Sequence, residues 1–158
     1  RSDQLDYASD LPVKDGKPDV AAFAAKWNAA DRRLLGEAQA SWLAQEVTTS
    51  VKTGSAWQVL GNQIVMGRIA SPDFRAQMGE AKFGEFVAGL PEEYRKPVAQ
   101  LSALGAFGLP YNLDAWDGYP VDRERVLGAC KAAGAHPLVL VEDAKFDSVP
   151  SLIVVTPV

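Results

Sequence analysis

The residues best equipped for chemistry are concentrated in one run, Pro110-Tyr111-Asn112-Leu113-Asp114-Ala115-Trp116-Asp117-Gly118-Tyr119-Pro120. It sets the carboxylates of Asp114 and Asp117 beside the phenols of Tyr111 and Tyr119 and the amide of Asn112. Such a set can hold a cation or hydrogen-bond a polar substrate. Each proline fixes its own φ and biases the residue before it towards extended geometry, so the run predicts an ordered loop rather than a helix. Two readings of it stand side by side. In one, Trp116, Tyr111 and Tyr119 clamp the loop onto a core while Asp114 and Asp117 accept backbone N–H bonds within it. In the other, the loop borders a polar site and gives it carboxylate or phenol groups.

Two further places carry polar groups that need partners. Trp57-Gln58-Val59-Leu60 and Ile64-Val65-Met66 are short β-type runs around Gly61-Asn62-Gln63, so the amides of Asn62 and Gln63 fall where a buried strand ends. Leu138–Val141 is a second β-type run, followed directly by Glu142-Asp143-Ala144-Lys145. Ligands of α/β folds bind outside the carboxyl ends of strands, and a carboxylate just there suits a metal ligand, a helix cap or an ordinary turn. Taken together, Asn62, Gln63, Asp114, Asp117 and Tyr119 are the candidate substrate-binding residues and Asp143 the candidate metal ligand.

Several chemistries are excluded by what is missing. The chain has one histidine, His136, and one cysteine, Cys130, too few for a His-based or Cys-based metal cluster or an internal disulfide. Gly105-Ala106-Phe107-Gly108 lacks the Lys-Ser/Thr that completes a phosphate-binding loop. No Gly-x-Ser-x-Gly elbow occurs. A net charge of −4, with acids and bases mixed along the chain, lacks the basic stripe of a nucleic-acid backbone binder. No apolar run reaches the roughly 18 residues of a membrane span.

The elements that must position these groups can be read from periodicity. The 158 residues suit one domain. Residues 1–18 read as irregular, with Asp15-Gly16 as a turn. Asp19 caps a helix over Val20–Trp27, and a second helix is expected from about Arg32 to Val51 on an apolar stripe of Leu35, Ala38, Trp42, Leu43 and Val47. Residues 71–108 read as a helical insertion in which Pro97 limits or kinks one helix. Val121–Ala133 reads as a helix closed by Gly134, with Cys130 on its apolar side. Leu138–Val141 and Leu152–Val155 read as strands. Strands alternating with helices give an α/β fold, a layered sheet with packed helices.

Four blocks in order resemble the PhoD-like alkaline phosphatases and phosphodiesterases. They are Arg1-Ser2-Asp3-Gln4-Leu5-Asp6-Tyr7, Leu34–Leu43, Trp57–Gln63, and Tyr111–Pro120 with Arg123-Glu124-Arg125 after it. The resemblance implies part of a metallophosphoesterase sandwich, hydrolysis of phosphate esters, and a metal centre of iron and calcium. It places this chain in the middle and late part of the family, with the earlier ligand runs falling before Arg1, so that most expected metal ligands are lacking. In the family's late Gly-Asp-x-His motif, Asp143 matches the aspartate, while Glu142 and Lys145 replace the glycine and the histidine. The alternative function is a non-catalytic binding or assembly module derived from a phosphatase. Either way, a partial sandwich exposes a sheet edge that a second copy or a partner chain would cover. Family members are commonly exported. A first residue of Arg1 with no signal segment suits a processed product or a piece of a longer chain.

Overall fold

The computed structural model describes residues 3–141, a mixed α/β structure. Leu152–Val155, read above as a strand, lies outside the described residues. The described residues divide into two compact units, one formed by 3–67 with 113–141 and the other by Arg68–Asn112.

The first unit opens with more order than its composition suggested. Asp6 caps a single helical turn, α1 (Tyr7–Asp10), by accepting from the Ala8 amide at 2.8 Å. A hairpin follows, β1 (Val13–Lys14) and β2 (Lys17–Pro18). Its turn has positive φ at both Asp15 (53°) and Gly16 (74°), the conformation in which Asp-Gly matches the twist of the flanking strands.

Helix α2 (Val20–Trp27) starts as expected, with Asp19 Oδ1 accepting from the Ala22 amide at 3.0 Å. It buries Phe23. Helix α3 (Glu37–Lys52) starts five residues later than its periodicity suggested, with Gly36 at its N-cap. The reason lies outside the segment: the Leu34 and Leu35 amides donate to Asp122 Oδ2 at 2.9 and 3.0 Å. A buried carboxylate far along the chain thus takes amides that would otherwise enter the helix. The expected stripe also rotates, for Trp42 is 58% exposed while Val47 is buried.

Strand β3 (Val59–Asn62) pairs in parallel with β4 (Leu138–Val141), Val59 opposite Leu138 and Asn62 opposite Val141. Ile64–Met66 is not a strand; Met66 instead packs with Trp116, Val126 and Val139 in the main apolar cluster. Gly61 has open space where a Cβ would point, so no close backbone approach requires it. Helix α7 (Pro120–Ala133) has Pro120 in its first turn and ends at Gly134, whose φ of 71° is the left-handed cap that glycine adopts at low cost. It packs along α3. A second cluster joins Val47 of α3, Cys130 of α7 and Ala135.

The second unit is built on three helices, α4 (Phe74–Met78), α5 (Glu80–Gly89) and α6 (Glu92–Gly105). Helix α6 continues through Pro97. Phe83 is buried under the Arg75 guanidinium, 4.6 Å from its ring centre. Gly105 is required by contact, because a Cβ there would lie 2.4 Å from the Pro72 carbonyl carbon. The ends of this unit are tied together: the Ser71 amide donates to Leu109 O and the Tyr111 amide to Ile69 O, both at 2.8 Å.

Candidate functional site

The loop before α7 is a short 3-10 turn, Trp116–Gly118, and its residues are almost wholly buried. Asp117 sits opposite Arg123 of α7, whose Nη1 donates to Asp117 Oδ1 at 2.7 Å. Each side chain is 7% exposed. From the other side, Trp27 at the end of α2 and Arg32 beyond it grip the turn by its carbonyls. Trp27 Nε1 donates to Asp117 O at 2.6 Å, and Arg32 Nη1 donates to Gly118 O at 2.5 Å.

Arg32 does more than this one bond. Its Nε and Nη2 donate to Asp3 O at 3.2 and 3.1 Å, and its Nη1 also reaches Trp27 O at 3.0 Å. The guanidinium lies 4.6 Å over the ring centre of Tyr119. A planar fork with several donors and a flat face suits carbonyls in three directions and an aromatic ring below, which an ammonium would not. Gly118 completes the turn by close approach: a Cβ there would fall 1.8 Å from Leu113 O.

The aromatic wall beyond is Tyr7 against Phe23 (5.3 Å between ring centres) and Phe23 against Trp27 (6.3 Å). Burial, and secondarily the Asp117 charge, push the Tyr7 phenol well above its ordinary range. Tyr7 therefore stays neutral at physiological pH.

The sequence candidates fall into two places. Asp117 and Tyr119 share the buried turn just described, while Asp114 is exposed at its start. Tyr111, expected to help clamp the loop, is 58% exposed. Asn62 and Gln63 stand elsewhere, at the carboxyl end of β3 beside β4. Asn62 Oδ1 accepts from the Ile64 amide at 3.3 Å, and its Nδ2 is buried without a hydrogen-bond partner among the described residues. Gln63 is exposed. Asp143 lies outside the described residues. Cys130 is buried, as its place on the apolar side of the helix suggested, and His136 is exposed.

Four residues central to this architecture were not singled out as site residues from sequence: Trp27, Arg32, Asp122 and Arg123. One signal was legible: the spacing of Asp117 to Arg123 across Pro120, which sets an acid in a turn against a base in the first turns of the helix it feeds.

A family model for PhoD-like phosphatases matches residues 3–144. The chain belongs to the PhoD-like phosphatase family. No curated protein and no solved structure matches it.

Members of the PhoD-like family imply a metal. Among the described residues no group of three or more His, Cys, Asp or Glu side chains is arranged to hold one. The buried acids are engaged otherwise, Asp117 by Arg123, and Asp122 by Arg33, Arg125 and two amides. The described residues therefore do not fit a metal by themselves. Among them, too, no helix is long and apolar enough to cross a membrane.

Proposed function

We propose that this chain acts in the hydrolysis of phosphate esters, both mono- and diesters, and that its phosphate-side contact is Asn62. The observation that carries the reading is the buried Nδ2 of Asn62, an amide donor with no partner among the described residues. A buried donor left unpaired costs about 1–3 kcal/mol, and a phosphate oxygen would recover that. Its position also suits a ligand, because parallel strands present their carboxyl ends to bound anions and substrates. Gln63, exposed next to Asn62, is assigned to the rim of the site, while Asp114 belongs to the start of the buried turn.

Asp117 and Tyr119 act in this reading by holding the loop, since the carboxylate of the one faces Arg123 and the ring of the other lies under Arg32. Asp143 is the residue this chain would offer to a metal, iron or calcium by family likeness. The remaining donors would come from outside residues 3–141.

A second reading, a non-catalytic binding or assembly module, is favoured by one specific feature. The parallel pair β3–β4 leaves Val59 54% exposed, with Trp57 just before it 76% exposed. Parallel sheets are ordinarily covered on both faces. A second copy or a partner chain laid over this sheet would cover them.

Binding of p-nitrophenyl phosphate to the purified protein, compared with Asn62→Ala, tests the reading. A saturable site weakened about tenfold by the substitution is expected. Unchanged binding removes Asn62 from the site, and no binding at all favours the module.

A further inference from the structure

A groove of about 320 Å³ runs between α3 and α7, away from the end of β3. It exists because the facing positions are small: Ala40 and Ala44 on one helix, Ala129 on the other. Its inner end is apolar, closed by Val47 and Cys130. Its mouth is charged, with Arg33 and Arg125 on either side of Asp122.

The charges at the mouth are unequally satisfied. Asp122, 1% exposed, has one oxygen taken by the Leu34 and Leu35 amides. Its other oxygen faces Arg33 Nη1 at 3.3 Å and Arg125 Nη1 at 3.7 Å. The second distance is too long for a hydrogen bond. Arg125 Nη2 donates to Ala30 O at 2.6 Å, but Arg125 Nη1 is buried with no hydrogen-bond partner among the described residues. One carboxylate thus serves two guanidinium groups, and Arg125, 36% exposed, keeps beside the hollow one nitrogen with a long ion-pair contact and no hydrogen bond among the described residues. Glu37 also borders the mouth; it and Arg33 are both exposed, so water screens the two opposite charges alike and leaves Arg125 as the inner cation.

We propose that this groove binds an amphipathic monoanion, a carboxylate carrying an unbranched apolar tail. The carboxylate hydrogen-bonds Nη1 of Arg125, and the tail lies over Ala44 and Ala129 towards Val47 and Cys130. A hollow of this size is within the range of small-ligand pockets, and an apolar inner end beneath a polar mouth, here with Ser41 between them, suits a ligand with a charged head and an apolar tail. A sugar or nucleotide would bring hydroxyls and ring nitrogens that the inner end cannot pair.

Sodium octanoate is the probe, with octanol as the uncharged control and acetate as the tail-less one. Calorimetric titration is expected to show a single saturable octanoate site, weakened about tenfold or more by Ala129→Leu, which fills the groove. Octanol and acetate are each expected to bind at least about tenfold more weakly. Absence of saturable octanoate binding, equal affinity for octanol, or full affinity in a folded Ala129→Leu variant would each overturn the proposal. Should that variant not fold, the native protein decides. Octanoate must slow modification of Cys130 by methyl methanethiosulfonate, because the thiol borders the inner end; an unchanged rate rejects the site.

Discussion

Asp117 and Arg123 face each other at 2.7 Å, six residues apart, one in the turn and the other in the helix that the turn feeds. With both side chains 7% exposed, the pair joins the loop to α7 where water cannot substitute for either partner. Removing one partner leaves the other charged and buried, which costs about 3–5 kcal/mol. Asp117→Asn and Arg123→Met should each lower unfolding free energy in urea by roughly that amount. The double variant should lose less than the sum of the two. Strict additivity would show that the ion pair is not the shared interaction.

Arg32 is the second fastener, and its role depends on shape as well as charge. Lysine at this position keeps the charge but cannot reach Asp3 O, Trp27 O and Gly118 O together while lying over Tyr119. Arg32→Lys should therefore cost about 2 kcal/mol, read from the urea midpoint at constant slope. A lysine variant as stable as the native protein would mean that the carbonyl contacts contribute little.

Two glycines make a controlled contrast. Gly118 has no room for a Cβ, which would meet Leu113 O at 1.8 Å, whereas Gly128 in the middle of α7 faces open space. Gly118→Ala should destabilise by about 3 kcal/mol or more. Gly128→Ala should stabilise by about 0.5–1 kcal/mol, through helix propensity. Equal effects would refute the close packing of the turn.

The alkaline side of the stability profile should carry the mark of buried acids. Burial raises the Cys130 thiol, so the folded state holds that proton more tightly than the unfolded chain. The stability this contributes is complete below the ordinary thiol range, near pH 8.5, and is lost as pH rises from there towards the folded value. Tyr7, raised mainly by burial, adds a second loss starting near pH 10. Urea midpoints measured between about pH 7.5 and 9.5 should fall in the native protein and flatten in Cys130→Ala. An identical slope in both would show that the thiol is not protected.

Local chemistry was legible in the sequence wherever a single segment decided the outcome. Asp19 capping α2, Asp15-Gly16 turning the chain, and Gly134 closing α7 follow from residue type and spacing alone. What escaped depended on partners far away in the chain. Arg32 looked like a helix start because its pattern continues into α3, yet Gly118 O, 86 residues on, claims its guanidinium. The same applies to Leu34 and Leu35, whose amides go to Asp122. Ile64–Met66 has the composition of a strand, but Met66 is drawn into the apolar cluster around Trp116. At the candidate site, the unusual composition of the 110–120 run was visible. That its buried acid faces an arginine was not read, because residue type alone does not tell a carboxylate held for structure from one held for chemistry.

The central claim is that this chain acts on phosphate esters, and turnover tests it most directly. The purified protein should be assayed with p-nitrophenyl phosphate and bis(p-nitrophenyl) phosphate, with elemental analysis on the same sample and Asp143→Asn beside it. The account predicts hydrolysis of these esters by metal-containing protein, lost in the Asp143→Asn variant. Protein that contains no metal and hydrolyses neither ester would contradict it and move the function to binding or assembly.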